Sequence, residues 1–68
     1  RYLQELEKVR DLFPESTEVL WALARRYQMV ENMPVTAAIL YRKIIQIAPT
    51  SSAIADQAEI ELIKLKNL

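Results

Sequence analysis

Prolines at 14, 34 and 49 cut this chain into four segments, and within each the apolar residues recur every three or four positions. That period is the mark of amphipathic helices, and it leaves such a chain few alternatives. Residues 1–13 carry Tyr2, Leu6, Val9 and Leu12 or Phe13 on one stripe, and residues 17–31 carry Leu20, Leu23, Ala24, Tyr27 and Val30. Residues 34–48 align Ala37, Leu40 or Tyr41, Ile44 and Ile47 or Ala48, and residues 52–66 align Ile54, Ala58, Leu62 and Leu65. The β-branched run KIIQIA is a local temptation toward strand, but TAAILYR ahead of it and a span of 15 residues favour helix.

The ends agree with the periods. Pro14 cannot continue the first helix, and Ser16 or Thr17 can cap the second. Asn32 can take a left-handed turn conformation in a chain that has no glycine to offer. Pro34 suits the first turn of the third helix, where its missing N–H costs nothing. Pro49 ends that helix, and Thr50 or Ser51 is expected to cap the fourth. The predicted fold class is all-α: four helices joined by short turns, arranged as antiparallel hairpins, with no strand.

Composition narrows the function. A chain of 68 residues has room for one small domain. A domain this size buries only about 60% of its unfolded surface, so it is marginally stable alone. Nine basic residues balance nine acidic ones, so the overall positive charge of a dedicated nucleic-acid binder is missing. Without histidine or cysteine, the commonest metal ligands and acid–base groups are gone, and without glycine no phosphate-cradling loop can form. Ser16, Ser51 and Ser52 read as caps with no base nearby. Neither an enzyme activity nor a cofactor is expected. No apolar run approaches the roughly 18 residues of a membrane-spanning helix, so membrane insertion is not expected. The lack of cysteine fits a reducing compartment such as the cytoplasm. The chain starts at Arg1 rather than Met, which points to a fragment.

Laid on itself with a shift of 35, the chain repeats: Pro14 falls on Pro49, Val9 on Ile44, Leu12 on Ile47, Val19 on Ile54, Leu23 on Ala58 and Tyr27 on Leu62. A period near this length in paired helices points to a helical solenoid. At these residues the chain resembles the tetratricopeptide repeat family, whose signature reads W-x2-L-G-x2-Y, then A-x3-F, then P. Leu20, Leu23, Ala24 and Tyr27 hold the first slots, and Ala37, Tyr41 and Pro49 the second. Tyr2, Leu6 and Pro14 match a preceding half-unit, and Ala55, Ala58, Glu59 and Leu62 a following one. The resemblance implies a right-handed α-solenoid segment with a half repeat at 1–15, a full repeat at 16–50 and a half repeat at 51–68. Ala24, Ala37 and Ala58 would then sit where helices cross closely, and the Tyr27 and Tyr41 rings would fill gaps with their hydroxyls at the edge. Three departures stand out. Trp21 comes one residue late for the usual tryptophan slot and should point elsewhere, the turn ENMPV is one residue longer than usual, and Glu59 replaces a small residue.

In that family the first helices of successive pairs line a concave groove that takes an extended peptide or a partner helix. Here the groove stripe would be Trp21, Arg25 and Gln28, extended by Glu18 and Met29, with Asp56, Ile60, Ile63 and Lys64 on the fourth helix. Trp and Arg are the side chains most enriched at binding hot spots. The alternative for Trp21 is a place at the core edge; for Ile60 and Ile63 it is packing against a further helix or self-association. The Lys and Asn with which some members clamp a terminal carboxylate are replaced by Trp21, Arg25, Asp56 and Ile60, so that clamp is not expected. The implied function is a non-catalytic protein-interaction scaffold. An RNA-processing helical repeat is the alternative, although the glycine and basic residues of pentatricopeptide repeats are absent. Glu7–Arg10 and Glu61–Lys64 are expected as surface pairs that support their helices and solubility. The apolar terminal stripes lead to a further expectation, that the chain dimerises or borrows a helix from a second copy.

Overall fold

The structure, a computed structural model, describes residues 2–50 and 52–66. Ser51, the side chain of Tyr2 and residues 1, 67 and 68 lie outside the description, so nothing further is drawn from their expected places in the repeat. Four helices follow one another: α1 (Tyr2–Leu12), α2 (Thr17–Met29), α3 (Pro34–Ile47) and α4 (Ala53–Lys66). Among the described residues there is no strand, and KIIQI of that run is helical, with Ala48 the extended residue that ends α3.

Each boundary has a local cause. Phe13 N–H still donates to Val9 O at 2.8 Å, after which Pro14 stops α1. Ser16 caps α2, its Oγ accepting from Val19 N–H at 3.4 Å. The second helix stops two residues short of the expected 31. Val30 and Glu31 N–H both donate to Arg26 O, Asn32 takes φ 55°, and Met33 N–H reaches back to Tyr27 O at 2.8 Å. This wide turn absorbs the long ENMPV connection. The Arg26–Glu31 ion pair at 3.2 Å spans it, and Pro34 opens α3 as its first residue. The cap of α4 corrects an expectation. Ser52, not Thr50, precedes the helix, its Oγ accepting from Ala55 N–H at 3.4 Å; the Ser51 alternative lies outside the described residues. Ser52 N–H donates to Pro49 O at 3.1 Å, as Ser16 N–H donates to Phe13 O at 3.0 Å. The two proline loops thus share one bonding pattern, and the later is one residue longer.

The core runs through α2, α3 and α4. Leu20, Leu23 and Ala24 of α2 are fully buried, as are Ala37, Tyr41 and Ile44 of α3 and Ala58 of α4. The three alanines lie wholly inside the packed helices, where a larger side chain would have to displace a neighbour. Each of Leu20, Leu23 and Ile44 contributes on the order of 1.5–3 kcal/mol by leaving water. α2 and α3 share the most extensive contact, followed by α3 with α4 and then α1 with α2.

α1 departs from the expected stripe. Leu3 and Leu6 pack toward the core, while Val9, Leu12 and Phe13 are exposed, Leu12 to 74%. Val30 is exposed as well, because it lies past the end of α2. The Cα atoms span 30 × 27 × 14 Å. The short dimension matches two helix layers about 8–10 Å apart, each with a Cα radius of about 2.3 Å. In a slab that thin, every helix has a side turned to solvent.

Candidate partner-binding face

One buried carboxylate organises the surface between α2 and α4. Glu61 has a side chain only 7% exposed, and three groups meet it. Arg25 Nη1 lies 3.2 Å from its Oε1, Gln28 Nε2 donates to the same oxygen at 3.2 Å, and Lys64 Nζ reaches Oε2 at 3.4 Å. Gln28 in turn accepts from the Tyr41 hydroxyl at 2.7 Å. A charge taken from water must find partners of this kind or neutralise. Among the described residues no buried side-chain polar atom lacks a hydrogen-bond partner.

Aromatic contacts complete the cluster. The Trp21 ring meets Tyr41 edge-on, with centroids 5.4 Å apart and planes at 65°. The Arg25 guanidinium lies 5.7 Å from the Trp21 centroid, within cation–π range. Trp21 is half-buried against the core. Burial raises the ionisation of Tyr41 above the ordinary tyrosine value, and the Arg25 guanidinium partly offsets that.

The candidate stripe therefore divides. Arg25, Gln28 and Lys64 converge on Glu61, and Trp21 lies against Arg25 and Tyr41. Glu18, Met29, Asp56 and Ile60 stay exposed around them. Ile63 is exposed but turns to another groove, between α3 and α4, which it lines with Arg42, Leu62 and Lys66.

Two carboxylates expected to serve only as surface charges have structural partners. Glu61 is not a surface residue, although its pair with Lys64 does form. The expected Glu7–Arg10 pair gives way to two others. The Tyr27 hydroxyl donates to Glu7 Oε2 at 2.6 Å and ties α1 to α2, while Arg10 pairs with Asp11 at 3.3 Å. That hydrogen bond, with burial and the nearby Glu7 charge, raises the ionisation of Tyr27. A sequence signal for Glu61 existed. Ile54, Ala58, Glu61 and Leu65 are spaced by four, three and four residues, which sets an acid inside an apolar stripe.

Among the described residues no group of His, Cys, Asp or Glu could hold a metal ion, and no helix among them is long and apolar enough to cross a membrane. Compared with protein-family models, with curated proteins and with solved structures, the chain matches none.

Proposed function

We propose that the chain is a non-catalytic protein-interaction module, a segment of tetratricopeptide-like right-handed solenoid. Its partner is an extended peptide or a helix laid across α2 and α4. The observation that carries this reading is the Trp21–Arg25–Glu61 cluster. An indole and a guanidinium are held in register by a buried carboxylate at 3.2 Å from Arg25, while the side chain of Arg25 stays 37% exposed. Ordering flexible side chains is a principal cost of association, and here much of that order exists before the partner arrives. Guanidinium groups offer five N–H donors in a flat fork, suited to carboxylate or backbone oxygens of a peptide. Met29 and Ile60 add apolar surface at the margins.

Trp21 is the only tryptophan, so its fluorescence reports on this face alone. A panel of amphipathic peptides alternating leucine and glutamate is titrated into the protein. Saturable quenching or a blue shift is expected for at least one member. Arg25→Ala should weaken it by roughly tenfold or more, the range of a hot-spot arginine. A flat response across the panel, or equal binding by Arg25→Ala, removes the face from the account.

A further inference from the structure

We propose that the side of the molecule between α1 and α3 is a second docking surface, and that its occupant is an acidic peptide segment with one apolar anchor residue. This goes beyond the partner-binding reading and does not depend on it, since the surface shares no residue with the Trp21–Arg25 face. Both its walls belong to the chain: α1 and the Pro14 loop on one side, α3 on the other. A hollow of about 410 Å3 lies between them, lined by Pro14, Leu20, Ile39 and Leu40 and flanked by Arg10 and Lys43. Leu20 and Leu40 are buried and form its floor. Ile39 is 57% exposed, although α3 sits in the middle of the fold, packed against both α2 and α4. A smaller hollow of about 270 Å3 shares Ile39 and Lys43 and adds Arg42 and Gln46, so the two adjoin along α3.

Charge decides the occupant. The chain is neutral as a whole, but its charges are unevenly paired. Arg10, Arg25, Arg26 and Lys64 are each held by a carboxylate. Arg42 and Lys43 are exposed, stand on a helix that carries no acid, and have no partner among the described residues. The acid that holds Arg10 is its sequence neighbour Asp11, 72% exposed. An exposed pair of that kind is worth about 0–1 kcal/mol, so an incoming carboxylate competes with it readily. Around the two hollows Arg10, Arg42 and Lys43 thus face a single acid, Asp11. From Ile39 to Gln46 the helix rises about 10 Å, the reach of about three extended residues. The matching ligand seats a leucine-sized side chain over Leu20 and Leu40 and sets its carboxylates two or three residues further on, beside Lys43 and Arg42. The apolar anchor supplies buried area and the charges supply register. No aromatic ring lines either hollow, so the stacking platform that single-stranded nucleic acid uses is missing here.

The test is fluorescence anisotropy of a labelled peptide in which one leucine is followed by a run of glutamates, with an otherwise identical lysine peptide as control. The glutamate peptide should bind saturably and the lysine peptide should not. Lys43→Glu should weaken binding by roughly tenfold or more, and Ile39→Ser by a similar factor. Both positions are exposed, and circular dichroism checks that helix content is kept. Arg25→Ala should bind as the wild type does. A loss there instead puts the peptide on the α2–α4 face, which overturns this proposal and leaves the partner-binding reading standing. A flat titration of the wild type, equal binding of the lysine peptide, or wild-type binding by Lys43→Glu overturns it as well. So does displacement of the peptide by single-stranded oligouridylate or by phosphatidylserine vesicles at lower concentration than by unlabelled peptide, since the cations would then serve that ligand.

Discussion

Replacing Glu61 by alanine tests whether a single carboxylate holds α4 against α2. It withdraws one side of three contacts: Arg25 at 3.2 Å, Gln28 at 3.2 Å and Lys64 at 3.4 Å. Breaking a fully buried ion pair costs about 3–5 kcal/mol, because the remaining charge is stranded. Here the survivors are not stranded: Arg25 is 37% exposed and Lys64 66%, so water can take over both. The Lys64 pair then contributes no more than an ordinary surface bridge, about 0–1 kcal/mol. What remains is a charge-assisted bond to Arg25 and the donor of half-buried Gln28, at about 1.5–3 kcal/mol for a bond to a charged group. The expected loss is about 2 kcal/mol, a fall in melting temperature of about 8–16 °C for a domain of this size. Denaturant unfolding of the wild type, Glu61→Ala, Arg25→Ala and the double variant gives the coupling directly, expected at about 1 kcal/mol for residues in one network. Native-state hydrogen exchange locates the damage: α4 amides should lose protection before those of α2 and α3. A Glu61→Ala stability within about 0.5 kcal/mol of wild type, the range of an uninvolved surface position, would refute the buried-carboxylate account. So would a coupling of zero.

Two other predictions concern ionisation and capping. Tyr27 and Tyr41 both ionise above the ordinary tyrosine value of 10.0, through the Glu7 hydrogen bond and through burial respectively. The unfolded chain gives up these protons first, so their stabilisation is complete below about pH 10 and falls as pH rises toward the folded values. Melting temperature should therefore drop on the alkaline side, and tyrosinate absorbance of the native protein should lag that of the denatured chain; coincident titrations would contradict this. At the start of α4, Ser52→Ala should destabilise by about 1 kcal/mol, the usual worth of a serine cap. Thr50→Ala should do nothing measurable in the same thermal melt, and a reversed order would move the cap back to the residue expected from sequence.

Where the chain's own covalent neighbourhood decides, structure could be read in advance. Pro14, Pro34 and Pro49 end or begin helices because a missing N–H and a fixed φ act within one turn, and Asn32 takes the left-handed φ of 55° for equally local reasons. Ala24, Ala37 and Ala58 fell inside the core because the apolar periods already aligned them. What needed the fold was lateral placement. Ser52 rather than Thr50 caps α4 because neighbouring hydroxyl residues offer the same chemistry, and only the length of the Pro49 loop chooses among them. Val9, Leu12 and Phe13 share a stripe that reads as core, yet α1 is rolled so that Leu3, Leu6 and Glu7 meet α2. Of the stripe expected to bind a partner, the convergence of Arg25, Gln28 and Lys64 was not legible, since its centre is a residue on α4 taken for a surface charge.

Glu61 also explains why a polar residue persists where the stripe through Ile54, Ala58 and Leu65 would accept leucine. An apolar side chain there would bury area against Tyr41 and Gln28 but would release Arg25. With no anchor, the guanidinium would leave the Trp21 ring it now lies 5.7 Å from and sample solvent. Ordered long side chains carry roughly 2 kcal/mol of rotamer entropy, which a free Arg25 would have to lose again on meeting a peptide. On the proposed peptide-binding reading, the carboxylate trades some core stability for a surface that is rigid before binding. The two properties separate experimentally: Glu61→Leu should hold the melting temperature closer to wild type than Glu61→Ala does, while weakening peptide binding as much as Arg25→Ala. If Glu61→Leu instead binds as tightly as wild type, Arg25 needs no anchor, and Glu61 serves the packing of α4 alone.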